Sequence, residues 1–467
     1  MRSGGGSRRE TVGQPQNGSI LLGSLGDQSS CWHFLYLHGK NKPLHLHRDG
    51  LIESEQVCSA AAIGARYPEN WSLRGILMQI YLDYSATTPT RPEAIARWHA
   101  VLTQQWGNPS SLHQWGQRAA EVLELARAQV AALINAPPDS IVFTSGGTES
   151  DNLALYGIAR QYSAPQHLIV SSVEHSAVAE PARQLERQGW QVTWLPVNRQ
   201  GRVDPADLQA ALRPNTVLVS IIYGQSEIGT LQPIELLGQI ARDHGARFHT
   251  DAVQVAGRLP LDVQRLPVDL LSLSSHKLYG PQGVGALYVR PGMALVPLLG
   301  GGGQEQGLRS GTQAVGAIAG FGVAAELAAR ELPSETPRLA SLRDRLFDQL
   351  ADVPELIPTG DRLHRLPHHV SFCLRHADGQ TLTGRTLVRQ MNLAGIGISA
   401  GSACNSGKLQ PSPVLQAMGL GDRQATGGIR LTLGRYTTEA DIDWTAIALR
   451  QILERLTAGQ SLQQSAV

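Results

Sequence analysis

From Met78 to its C-terminal end this chain alternates strand-sized apolar runs with segments of helical spacing, and that alternation restricts its fold more than any other feature. Residues 141–144, 167–171, 191–195, 216–222, 247–250, 270–274 and 285–289 read as strands, and residues 121–134, 149–160 and 236–244 carry apolar side chains at helical intervals. Continuous apolar strands between amphipathic helices predict an α/β fold, a large, mostly parallel seven-stranded sheet covered by helices on both faces. Beyond residue 333, helical segments at 338–350 and 438–456 and short strands near 370–374 and 428–433 predict a smaller α+β domain. The expected division is a leading extension over 1–77, a segment over 78–92 that joins the small domain, a large domain over 93–332, and a small C-terminal domain over 333–467.

Residues 1–77 differ from the rest. They open with Arg2-Ser3-Gly4-Gly5-Gly6-Ser7-Arg8-Arg9, scatter His33, His38, His45 and His47, and keep no regular period. No apolar core follows the early arginines, which argues against a secretory signal; a transit peptide stays open, although Asp27, Asp49, Glu53, Glu55 and Glu69 are more acid than such peptides usually carry. The expectation is a translation start at Met78, with 1–77 as upstream sequence or a disordered extension. Charged residues make up 17% and the net charge is +1, so nothing electrostatic favours a nucleic-acid or membrane partner. No apolar run approaches a membrane span. Cys31, Cys58, Cys373 and Cys404 are too sparse for a disulfide framework or a metal site, which points to a reducing cytoplasm.

The chain carries 36 arginines and four lysines, and Lys277 is the only lysine between Lys42 and Lys408. A guanidinium stays protonated, whereas a desolvated amine can lose its proton and form a Schiff base. Lys277 follows the apolar, Ser-rich run from Val268 to His276 and precedes Gly280-Pro281-Gln282-Gly283, a strand end opening into a turn. Other strand ends carry matching groups. Ser145-Gly146-Gly147-Thr148-Glu149-Ser150 opens a helix, where backbone amides and the Thr148 hydroxyl can hold a phosphate. His175 can stack on a flat ring or simply bond within its loop. Asp251, by default a helix cap, can instead pair with a protonated ring nitrogen. All fall on one edge of an open α/β sheet, and together they specify pyridoxal phosphate better than any one alone.

From Tyr81 to about Thr457 the chain resembles the cysteine desulfurases of the NifS/IscS type, fold-type I pyridoxal-phosphate enzymes of the class V aminotransferase group. The motifs that carry the resemblance are Tyr81 to Pro89, Gly107-Asn108-Pro109-Ser110-Ser111, the Thr148 turn, Glu174-His175, His249-Thr250-Asp251, Ser274-Ser275-His276-Lys277, Arg309-Ser310-Gly311-Thr312, Ala400-Gly401-Ser402-Ala403-Cys404 and Gly428-Ile429-Arg430-Leu431. The resemblance implies that Lys277 forms the Schiff base with the cofactor, Asp251 pairs with its ring nitrogen, His175 stacks on the ring and Gln254 reaches the phenolic oxygen. It further implies that Gly147, Thr148, Ser274 and His276 hold the phosphate, that Thr312 reaches the phosphate in the other subunit of a homodimer, and that Asn108 and Arg430 bind substrate. No metal is expected at this site.

Cys404 decides the reaction. Its segment, Ser399 to Gly407, is made of small residues and is expected to be mobile and exposed, whereas Cys373 lies between Phe372 and Leu374 as a buried structural cysteine does. On the resemblance, Lys277, His175 and Cys404 form the catalytic set. The Cys404 thiolate attacks the sulfur of L-cysteine, alanine leaves, and the persulfide passes to an acceptor protein for iron–sulfur assembly or tRNA thiolation. Lys408 either favours that thiolate or is a solvated loop residue. One place departs from the family pattern: Tyr223-Gly224-Gln225-Ser226-Glu227 puts Gln225 where these enzymes commonly carry an Asn that touches the cofactor's phenolic oxygen. Competing readings are a selenocysteine lyase, a cystine or other C–S lyase, and a non-catalytic scaffold. Cys404 argues against a cystine lyase, and Lys277, Asp251, Arg430 and Cys404 together argue against a scaffold.

Overall fold

The computed structural model describes residues 79–375, 382–401 and 410–464, so the expectations for residues 1–77 and for Cys404 and Lys408 concern chain outside the described residues. The strands of the main sheet are β2 (Ile141–Thr144), β3 (His167–Ser171), β4 (Gln191–Leu195), β5 (Thr216–Ser220), β6 (Arg247–Asp251), β7 (Leu270–Ser274) and β8 (Gly285–Val289). They lie in the order β2-β8-β7-β6-β5-β3-β4. The β3–β4, β3–β5, β5–β6 and β6–β7 pairs are parallel, and β8 runs antiparallel to both β2 and β7. All the strands but β8 therefore share one direction, as the continuous apolar runs predict. Every residue of β2, β3, β7 and β8 is buried, because helices cover both faces.

Helices α1 (Pro92–Gln104), α2 (Gln114–Leu133), α3 (Gly147–Ala159), α4 (Ser176–Arg187), α5 (Pro205–Ala211) and α6 (Ile234–His244) follow in chain order. On one face Leu123, Val130, Ile134, Leu237 and Phe321 pack on Phe143, Phe248 and Leu271; on the other Leu153, Ile158, Val178 and Leu185 pack on Leu168 and Leu218. The next helix differs from expectation. It starts not near residue 338 but far upstream, as one continuous helix α7 (Val315–Gln349) that contains Pro333 and Pro337. Both prolines are exposed and lie four residues apart on one solvent-facing side, where the carbonyls they free can meet water. Its buried stripe, Leu339, Leu342 and Leu346, runs on unbroken.

Further along lie strands β9 (Leu356–Pro358), β10 (His369–Leu374), β11 (Ile396–Gly397) and β12 (Gly428–Thr432), with helices α8 (Gly384–Leu393), α9 (Pro413–Ala417), α10 (Asp422–Ala425) and α11 (Glu439–Gln464). Strands β12, β10 and β9 form an antiparallel sheet in that order. A short leading strand, β1 (Ile80–Tyr81), pairs in parallel with β11, and Asp83 bridges to Thr432. Residues 80–83 are thereby strapped onto the C-terminal part, which delivers the next turn, Ser85 to Thr88, to the ends of β6 and β7.

Candidate active site

The parallel strands end on one edge, and the chain turns there place the polar groups. Between β2 and α3, Gly146 has a φ of +154°, a conformation that favours glycine. A Cβ at Gly147 would stand 2.8 Å from a Val253 methyl, so the backbone approaches the Asp251 turn closely there. The Ser145 amide donates to Glu149 at 2.8 Å, and Glu149 accepts from Arg309 at 2.9 Å, which depresses its carboxyl despite half-burial. The α3 amino end thus faces open space with its turn locked from behind.

Lys277 closes the 3₁₀ turn Ser275–Lys277 directly after β7. Its Nζ donates to the carbonyl oxygens of Ser85 at 2.6 Å and Ala86 at 2.7 Å. Gln254 Nε2 donates to the same Ser85 carbonyl at 2.9 Å. Beside Lys277, His276 Nδ1 lies 3.0 Å from Thr87 Oγ1, and burial together with the neighbouring ammonium lowers its pKa to about 4. A neutral imidazole is a hydrogen-bonding group rather than a second cation.

Asp251 ends β6 and is buried, accepting from the Val253 amide at 2.9 Å. Burial raises its proton affinity, opposed by His175 and Lys277. His175 caps α4, its Nδ1 accepting from the Ala177 amide at 3.2 Å. Arg430, on β12, is 2% exposed. Its Nη1 donates to the Ser226 carbonyl at 3.0 Å and its Nη2 to Asp83 at 2.7 Å, while Nε has no hydrogen-bond partner. A buried guanidinium with an unmet donor suits an incoming carboxylate.

Nine of the expected residues, Gly147, Thr148, His175, Asp251, Gln254, Ser274, His276, Lys277 and Arg430, line one cavity of about 250 Å³. Three others are not brought there. Gln225 is buried, with its Nε2 donating to the Val173 carbonyl at 3.2 Å and its Oε1 accepting from the Glu227 and Ile228 amides at 2.5 and 3.1 Å. The longer amide is committed to the backbone, and its neighbour Ser226 lines the cavity instead. Asn108 is exposed and accepts from the Ser110 amide at 3.0 Å, and Thr312 is also exposed. The cavity wall also includes Asp151, which the sequence does not single out because an Asp inside an amphipathic helix reads as an ordinary solvated side chain. The hydrophobic pattern at residues 83–86 likewise gave no sign that two main-chain carbonyls there would receive Lys277.

This donor set fits a flat phosphate ester that carries a carbonyl and a ring nitrogen. A buried carboxylate lies deep, an amine stands beside it, and hydroxyls and a helix amino end line the other side. Among the described residues no helix is long and apolar enough to cross a membrane.

The class-V aminotransferase family profile matches residues 80–444. Cysteine desulfurase IscS of Dictyoglomus turgidum is 45% identical over 380 residues, covering 81% of this chain and 95% of the relative. IscS of Haemophilus influenzae strain PittGG is 45% identical over 387 residues, covering 82% and 94%. Among solved structures, a NifS-like protein from Rickettsia africae superposes with a TM-score of 0.72 at 31% identity, covering 81% of this chain and 100% of the other. SspA in complex with cysteine superposes with a TM-score of 0.68 at 36% identity, covering 77% and 100%. These likenesses make the enzyme pyridoxal-phosphate-dependent. The chain belongs to the class-V aminotransferase family, in its IscS/NifS cysteine desulfurase group.

Proposed function

We propose that this enzyme takes the sulfur of L-cysteine onto Cys404 and releases L-alanine, passing the persulfide to an acceptor protein for iron–sulfur cluster assembly or another thiolation. The observation that carries the reading is the opening of Lys277 and Arg430 into one cavity, an amine for proton transfer beside a guanidinium for an amino-acid carboxylate. The likeness to SspA in complex with cysteine supports the same substrate.

When bound, pyridoxal phosphate supplies the electron sink that loosens bonds at the substrate's α and β carbons. Thr148, Ser274, His276 and the Gly147 amide at the start of α3 hold its phosphate end. Asp251 would pair with its ring nitrogen, His175 would stack on the ring and Gln254 would reach the phenolic oxygen. Arg430 fixes the substrate carboxylate, and Lys277 moves protons between the α and β carbons. The Cys404 thiolate attacks the substrate sulfur: an S–S bond forms, the Cβ–S bond breaks, and Cβ receives the electron pair and a proton to leave as alanine.

The active form is a homodimer. Ile95, Trp98 and Leu102 on α1, with Trp106, Leu112 and Trp115 after it, are exposed by 36 to 93% and make an apolar face suited to a second copy. Thr312 then acts at the other subunit's cavity. Four sparse cysteines, Cys373 among them buried and free, agree with a cytoplasmic enzyme. Incubation of the purified protein with L-cysteine separates the chemistries: alanine with protein-bound sulfur is expected, whereas pyruvate with free sulfide identifies a lyase. Selenocysteine is a second candidate substrate of the same residues, tested by direct competition.

A further inference from the structure

The reaction as described gives no part to one buried carboxyl in the cavity wall. Asp151, the fifth residue of α3, is 1% exposed, and its Oδ1 has no hydrogen-bond partner. One oxygen of Asp151, one of Asp251 and a ring nitrogen of His175 all lie within 4.8 Å of one another. The groups that face this carboxyl are Asp251 and His249 from β6, Ser272 from β7, and Glu174 and His175 from the turn into α4. Lys277 acts on Asp251 from beyond. His249 Nε2, 3.6 Å from Asp151 Oδ1, cannot serve as a counter-cation. It is wholly buried, bonds to Ser220 Oγ at 2.8 Å and Ser272 Oγ at 3.0 Å, and is pushed down to about 3 by desolvation.

Two carboxyls this close and this buried ionise unequally when the neighbouring cationic groups, His175 and Lys277, act on Asp251 and not on Asp151. We propose that Asp151 and Asp251 form a carboxyl pair carrying one shared proton, in which Asp151 is a positioning residue that fixes the charge and aim of Asp251 towards the pyridine nitrogen. The asymmetry of the surroundings assigns the proton to Asp151. Asp251 has the Val253 amide at 2.9 Å and is drawn down by His175 and Lys277, whereas burial and the Asp251 charge both push Asp151 well up. Asp151 Oδ1, buried and without a hydrogen-bond partner, is where such a proton resides. Loss of that proton at alkaline pH adds a second negative charge behind Asp251, which strengthens the hold on a protonated ring.

The pair rests on the reading of Asp251 as the ring-nitrogen partner, and two measurements on the cofactor-loaded enzyme test it. Infrared spectra with isotope-labelled aspartate should show a protonated carboxyl band at neutral pH that disappears in Asp151→Asn. The pH midpoint of the bound cofactor's visible absorbance should lie lower in Asp151→Asn than in wild type, by about half a unit or more. Coincident midpoints, or no protonated aspartate band in wild type, would overturn the pair. If Asp151→Asn does not fold or load, the wild-type band alone decides. Failure of the underlying reading looks different: Asp251→Asn would then bind cofactor with an unchanged spectrum.

Discussion

The amine of Lys277 stands 2.6 Å from the main-chain carbonyl of Ser85, a residue 192 positions earlier in the chain. Gln254 donates to that same oxygen, and Ser85 belongs to the segment that bridges to Thr432. The lysine is therefore parked by backbone that arrives from the C-terminal part of the fold. Its carbonyl partners hold the amine in place, and its charge acts on the Asp251 carboxyl. Lys277→Ala is expected to lose the visible absorbance of the lysine-bound cofactor and to slow alanine release by about 10²–10⁴-fold, the span of a lost general acid–base group. Lys277→Arg should fare no better, because a guanidinium does not give up its proton. Absorbance spectra and single-turnover assays check both.

Arg430 is oriented by Asp83 at 2.7 Å and the Ser226 carbonyl at 3.0 Å, with Nε unmet. Arg430→Lys keeps a charge and loses the planar fork. Charge-assisted hydrogen bonds contribute about 1.5–3 kcal/mol, so kcat/KM for L-cysteine should fall by about 10–100-fold, with most of the change in KM. Cofactor affinity should change little, and a spectroscopic titration separates the two effects.

Glu174 predicts a pH dependence of stability. It is buried, accepts from Ser171 Oγ and the Ile222 amide, and leaves Oε2 without a partner; burial pushes its pKa from 4.5 to about 8. The folded protein thus holds a proton that the unfolded chain has released between about pH 4.5 and pH 8. Stability contributed at acid pH is lost as pH rises through that window, by on the order of 5 kcal/mol in total. Glu174→Gln carries no such proton. Its thermal midpoint should match wild type near pH 5 and exceed it near pH 8, and parallel curves would refute the assignment.

The apolar face on α1 gives a prediction about assembly. Trp98 and Leu102 also touch the backbone at Gly316, where a Cβ would stand 2.7 Å from the Trp98 ring, so one side of this stripe seats α7 while the rest is exposed. Leu102→Glu with Trp106→Glu should convert a dimer to monomer in sedimentation while the circular dichroism of the fold persists. Activity should fall with the dimer, because the role proposed for Thr312 is at the other subunit's cavity.

Much of this was legible in the sequence because it is local. Continuous apolar runs gave β2, β3, β4, β7 and β8 to the residue, strand-end motifs gave Thr148, His175, Asp251 and Lys277, and the family resemblance gave the other five cavity residues. What escaped depends on contacts between distant segments. Nothing near Pro333 and Pro337 reveals that both fall on a solvent-facing side of α7, where a helix tolerates them. Gln225 resembles a cofactor ligand by position, yet its extra methylene lets the amide satisfy the Val173, Glu227 and Ile228 backbone instead. Asp151 is unremarkable until the ends of β6 and α3 bring it beside Asp251.

The most direct test of sulfur transfer is the Cys404→Ser enzyme given L-cysteine, with alanine release and protein-bound persulfide followed together. Cys404→Ser should keep the cofactor spectrum, form no persulfide and lose nearly all alanine release. Undiminished alanine and sulfide release from Cys404→Ser would contradict the assignment of Cys404 as the sulfur acceptor.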